Sequence, residues 1–190
     1  MIKTTIINLI FFILGTKIAL ANSQNLEQQA QQLYDKDRLT EAIPLLQQAI
    51  NDYKTQDNLI KEANATRNLA LIYQKVGNWQ KANETIANAI AILSQISDST
   101  NRNQLFAQAL DVKGQIQLSL GQSETALETW KEAANLYQKF GDLTRYTKSQ
   151  IYQATALQSL GLYAQAIKKL NQIQQQLENN PIPLSKAKHF

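Results

Sequence analysis

Small residues recur along this chain at a fixed separation, and that spacing confines it to stacked helices. Ala30, Ala70, Gly114 and Ala154 are each followed twelve residues later by another small residue: Ala42, Ala82, Ala126 and Ala166. Four residues beyond these stand Leu46, Ile86, Trp130 and Leu170, and seven beyond stand Ala49, Ala89, Ala133 and Ile173. Offsets of four and seven place side chains on one face of a 3.6-residue helix. Small side chains at the marks let two antiparallel helices approach closely, and the larger residue four on fills the groove between them. Gly77, Gly121 and Gly161 precede the second helix of three copies and supply its turn; Asp37 supplies it in the first. The copies are offset by 40, 44 and 40 residues. Each unit buries one face internally and needs a neighbour for the other, so such units stack into an α-solenoid.

Read as helices, the pattern predicts segments at 23–36, 40–55, 58–76, 79–97, 101–120, 123–139, 142–160 and 162–179. Asp57, Ser123 and Asp142 are the expected N-caps and Gly141 a C-terminal stop. Pro44 falls near the fourth residue of the second helix, where it loosens the first turn without breaking the helix. Asn179-Asn180-Pro181 ends the last segment. Val and Ile follow helical spacing rather than alternation, so no strand is expected.

The spacing resembles the tetratricopeptide repeat (TPR) family. The best copy reads NLALIYQKVGNWQKANETIANAI, residues 68 to 90, and the fourth, ATALQSLGLYAQAIKKL from 154, is also good. The first copy departs at its turn, and the third has Gln117 where Tyr or Leu is usual. The resemblance covers roughly residues 23 to 179, with periods longer than the family's 34. It implies an all-α, TPR-like α-solenoid of about four helix pairs, at about 23–56, 63–96, 107–140 and 147–180 within an array at 22–180. It also implies a protein–protein interaction scaffold that takes a peptide segment or helix in its concave groove.

In the family the first helix of each repeat lines that groove. Carried over, this gives Gln24, Glu27, Gln31 and Tyr34 from the first repeat and Asn64, Arg67, Leu71, Gln74 and Lys75 from the second. The third offers Gln108, Asp111, Gln115 and Leu118, and the fourth Lys148, Ile151, Thr155 and Gln158. The expected partner-binding set is Tyr34, Asn64, Arg67, Leu71, Gln74, Lys75, Gln108, Asp111, Gln115, Lys148 and Thr155. Amides both donate and accept, which suits an extended peptide backbone; Gln is equally a good solvated helix former. The Lys/Asn/Arg clamp by which some members grip a terminal carboxylate is not expected. Leu71 stands where it needs Asn, and the third repeat offers Asp111 rather than a cation.

The residue inventory argues against catalysis. There is no Cys, and the single His is His189. That removes thiolate metal sites, a cysteine nucleophile, a lipid-modified cysteine anchor and a His-based triad. No two glycines form a G-x-G pair, so no phosphate loop is present. Glu124, Glu128 and Glu132 fall four apart on one helix, but with Lys131 among them they read as a solvated charged face. Trp79 and Trp130 fall at a turn and at a core mark, and read as helix packing rather than binding hot spots. No enzyme, cofactor or metal is expected. Nucleic acid is not a partner either. The formal charge of +4 includes Lys3 and Lys17, and no basic cluster exceeds Lys168-Lys169.

The two ends read differently from the array. Met1-Ile2-Lys3, the apolar run Ile6 to Leu14 and the small-x-small Ala19-Leu20-Ala21 make a secretory signal peptide at 1–21, cleaved after Ala21. The product is then exported, periplasmic or secreted. Contact with a membrane arises only if the segment stays uncleaved, with Lys17 snorkelling. Residues 181–190 read as a tail or as the start of an incomplete fifth repeat. A signal followed by long repeats also resembles the N-terminal part of cyanobacterial proteins with a caspase-like CHAT domain. With no Cys, the rival reading is a shortened, regulatory or vestigial relative. A small hydrolase on a helical scaffold would need a pocket of convergent groups that the inventory does not supply. An exposed apolar end on the fourth helix pair would fit either truncation or stacking on a partner.

Overall fold

The turns between helices set the architecture. The computed structural model describes residues 21–179, and in them α1 occupies 21–35. Then follow α2 (Leu39–Thr55), α3 (Leu59–Lys75), α4 (Trp79–Ser94), α5 (Thr100–Ser119), α6 (Ser123–Lys139), α7 (Leu143–Ser159) and α8 (Tyr163–Asn179). No strand occurs among the described residues, and no helix of theirs is long and apolar enough to cross a membrane. The expected signal peptide, except for Ala21, and the expected tail at 181–190 lie outside the described residues.

Asp37, Asp57, Gly77, Gly121, Gly141 and Gly161 all adopt positive φ, between 53° and 76°. At Gly77 this closes two bonds. Its own N–H reaches the Gln74 carbonyl at 3.0 Å, and the Asn78 N–H reaches the Tyr73 carbonyl at 2.9 Å. That is a Schellman stop, and the residue that completes it also opens the next helix. Asn58, Asn78 and Asp142 do so with side chains that accept from the backbone N–H of Lys61, Lys81 and Arg145. Asp142 is therefore the cap expected. Asp57 is not: it holds the left-handed position, and Asn58 caps α3. Ser123 is not a cap either. Gln122 takes that position, and the Ser123 hydroxyl lies 2.8 Å from that of Ser159 on α7. Pro44 is the sixth residue of α2, which runs through it unbroken.

The left-handed residues stand twenty apart, except between Gly77 and Gly121. There the connection from α4 to α5 is longer, and Ser99 caps α5. Together with the greater length of α5, 20 residues against 17 in α3 and α7, this produces the single 44-residue offset. The chain also divides there, into a unit ending at Ile96 and a unit beginning at Ser97.

In the first unit α2 packs on α3 and α3 on α4; in the second, α5 to α8 pack in sequence. The repeated small residues are the core. Ala42, Ala49, Ala82, Ala89, Ala126 and Ala133 are fully buried, as are Ile86 and Trp130. Gly114 shows why one mark must be glycine: a Cβ there would lie 2.5 Å from Cε2 of Trp130. Trp130 in turn stacks on Tyr152, with ring centroids 5.0 Å apart. Gln117 keeps its core position by accepting from the Thr129 hydroxyl at 2.8 Å. One mark departs: Leu170, the groove filler of the fourth copy, is exposed. The fold is the all-α, TPR-like α-solenoid class expected, built of antiparallel helix pairs.

Candidate functional site

In the first unit, α1 and α3 flank a cleft over Leu46 of α2. Glu27, Ala30, Gln31 and Tyr34 line it from α1, and Asn68, Leu71 and Ile72 from α3. Its volume is about 130 Å³, which admits a side chain but not the small molecules that occupy pockets of roughly 300 Å³ and more. The floor is aliphatic: Leu46, a repeated mark, and Ile72 beside the mark Ala70 are both buried. The rim is polar. The Lys75 ammonium sits over the Tyr34 ring, 4.3 Å from its centroid. Arg67 donates through one terminal nitrogen to the side-chain oxygens of Asn64, at 3.0 Å, and Asn68, at 2.8 Å.

Glu27 gives the cleft its chemistry. Its Oε1 is buried and has no hydrogen-bond partner. Burial pushes its carboxyl above the ordinary range, while the charges of Lys61 and Arg67 pull the other way. The buried oxygen of a half-buried carboxylate, with nothing to accept from, favours an N–H or O–H donor brought within reach.

Expected residues thus come together here: Tyr34 and Leu71 as walls, Lys75 at the rim, and Arg67 with Asn64 through Asn68. Gln74 is half-buried on α3 but does not line the cleft. Asn68 lines the cleft from outside the expected set. Its only signal was its place one turn after Asn64, beside Arg67.

In the second unit Asp111 sits at a crossing of three helices. Its two carboxylate oxygens accept from the Tyr137 hydroxyl of α6 at 2.8 Å and the Ser149 hydroxyl of α7 at 2.9 Å. Burial pushes its carboxyl up to about 6, against the opposing pull of these bonds and of Lys148 and Arg145. Asp111 is thereby a tie between helices. Gln108 and Gln115 share its helix face and are half-buried. Lys148 stands 5.8 Å from the Tyr152 ring centroid. Thr155 is exposed and spends its hydroxyl on the Ile151 carbonyl, 3.2 Å away. Trp130 is core, as expected, and Trp79 is partly exposed at the start of α4. Glu128 pairs with Lys131 at 2.6 Å on an exposed surface, and no group of three metal-ligating side chains occurs among the described residues.

Comparison with known proteins supports the fold reading. The family model described as "SNAP: Soluble NSF attachment protein, SNAP" matches residues 20–120, just over half of the chain. Nearly identical TPR-like repeats from Podosopora anserina superpose with a TM-score of 0.72 at 18% identity, covering 86% of this chain and 79% of that one. A Rap protein complexed with Competence and Sporulation Factor gives 0.73 at 16%, covering 84% and 43%. A signal transduction ATPase with a tetratricopeptide repeat sensor, from Pyrococcus horikoshii, gives 0.74 at 17%, covering 88% and 25%. The chain therefore spans under half of the Rap protein and a quarter of the ATPase. No curated protein matches it.

Proposed function

The chain belongs to the SNAP family of TPR-like repeat proteins, and from that premise we propose that it is an exported, non-enzymatic scaffold that binds a segment of a partner protein. The α1–α3 cleft carries the reading: an aliphatic floor the size of one side chain, rimmed by groups that hydrogen-bond a backbone. A partner residue inserted over Leu46, Leu71 and Ile72 supplies affinity by burying apolar surface. Tyr34, Asn68 and Gln31 orient the flanking backbone, and the orphaned Glu27 oxygen takes a donor from it. A TPR-like neighbour caught with a bound factor, the Rap protein, is in keeping with such a role. Export rests on the signal-like N-terminus alone. The rival reading, a shortened relative of CHAT-domain proteins, draws no support from the comparisons.

Peptide-display selection on the purified chain tests the proposal. Selected peptides should carry a recurrent aliphatic anchor. Leu71→Asp should weaken them by roughly tenfold or more, the loss expected from one well-buried aliphatic contact. Selection without a consensus, or peptides indifferent to Leu71→Asp and Tyr34→Ala, would remove the cleft as the binding site.

A further inference from the structure

The last described helix leaves three large apolar side chains exposed. α8 buries Ala166 and Ile173 but leaves Tyr163, Ile167 and Leu170 61%, 59% and 46% exposed. These three, continued by Gln174 and Leu177, repeat at alternating intervals of four and three residues, the seam along which two helices interlock. One repeat earlier the same register is Ser123, Leu127 and Trp130 on α6, and there α7 seals it. Ser159 bonds Ser123, and Tyr152 and Ala156 pack with Leu127 and Trp130. On α7, the exposed Ile151 stands where Asp111 stands on α5. The α7–α8 pair thus repeats the face by which α5–α6 receives the next helix, with Tyr163 and Ile151 in place of Ser123 and Asp111.

We propose that this face docks a second copy of the chain, the two α7–α8 pairs meeting across a two-fold axis with their α8 seams antiparallel. Alignment about Leu170 sets Leu170 against its twin and Tyr163 beside Leu177. Along α8 no like charges are forced together, because its seam is uncharged and Lys168, Lys169 and Glu178 lie off it; on α7 the Lys148 ammonium is turned toward the Tyr152 ring. Head-to-tail stacking is disfavoured by α1. Where α3 buries Ala65 and Ile72, the same register of α1 holds exposed Asn25 and Gln32. Packing Tyr163 and Ile167 of another copy there would strand amides without partners. Of these two arrangements, the like-with-like contact matches apolar face to apolar face. The contact is only one helix pair wide, so the dimer should dissociate on dilution.

Sedimentation velocity of the full chain tests this, with two sets of variants. A dimer should grow in as concentration rises toward about 100 μM. Ile167→Glu with Leu170→Glu should raise its dissociation constant by about tenfold or more, with unchanged circular dichroism. Because the chain has no Cys, Leu170→Cys should give a disulfide-linked dimer on oxidation, and Lys168→Cys, off the seam, should not. A monomer at every concentration would overturn the proposal and leave the face to a foreign helix or to residues 180–190. So would a dimer of unaltered strength in the double variant, held instead by the apolar run at Ile6 to Leu14.

Discussion

Gly114 and Trp130 are a matched pair. The indole fills the space a side chain at 114 would need, and its stacking on Tyr152 leaves it nowhere to retreat. Gly114→Ala should therefore destabilise the protein by about 1–3 kcal/mol, as overpacked cores do, despite the better helix propensity of Ala. Adding Trp130→Phe should recover part of that loss, a non-additivity that urea unfolding of the two single variants and the double would measure. Asp111 makes a second prediction, in pH. Its folded carboxyl titrates at about 6 against an ordinary 3.8. Between those values the folded state holds a proton that the unfolded chain has lost, so stability falls as pH rises through this window. The change is roughly 3 kcal/mol at most. Glu27 and Glu62, both raised by burial, act with the same sign. The test is thus a difference: Asp111→Asn should flatten the fall in urea-measured stability between pH 4 and pH 7 relative to the parent chain.

At the scale of the element, the turn between helices is the repeated device. Gly77→Ala forces an L side chain into φ 75° and should cost about 1 kcal/mol. Asp57→Gly relieves the same strain at φ 53° and should gain a few tenths of a kcal/mol. Thermal unfolding of both variants reads the two signs. These turns were legible in the sequence, because a left-handed residue at a helix end must be Gly, Asn or Asp and the copies repeat it. Asp57 departs from the expectation because Asp57 and Asn58 are both able to cap. Only the twenty-residue interval to Asp37 and Gly77 separates the left-handed residue from the cap. The exposure of Leu170 was not legible at all. Spacing says which face of a helix is apolar, and is silent on whether another helix covers it.

For the whole molecule, the resemblance indicated which helices line a groove, and within α1 and α3 it selected residues that do meet at a cleft. It could not see that Asp111 is already engaged. Tyr137 and Ser149 lie 26 and 38 residues away, and no local pattern announces such partners. The start of the fold constrains one further prediction. Ser23 is fully buried, lies 3.4 Å from the Asp52 carboxylate and accepts from Gln56 at 3.3 Å. Leu26 is buried with Tyr53 behind it. Processing beyond residue 22 would therefore strip contacts from the core, whereas cleavage after Ala21 removes the apolar run and spares all of them. If the proposed export holds, terminal sequencing of the protein recovered outside the cytoplasm should begin at Asn22. A product that begins at Met1 and sediments with membranes would instead make the segment an anchor.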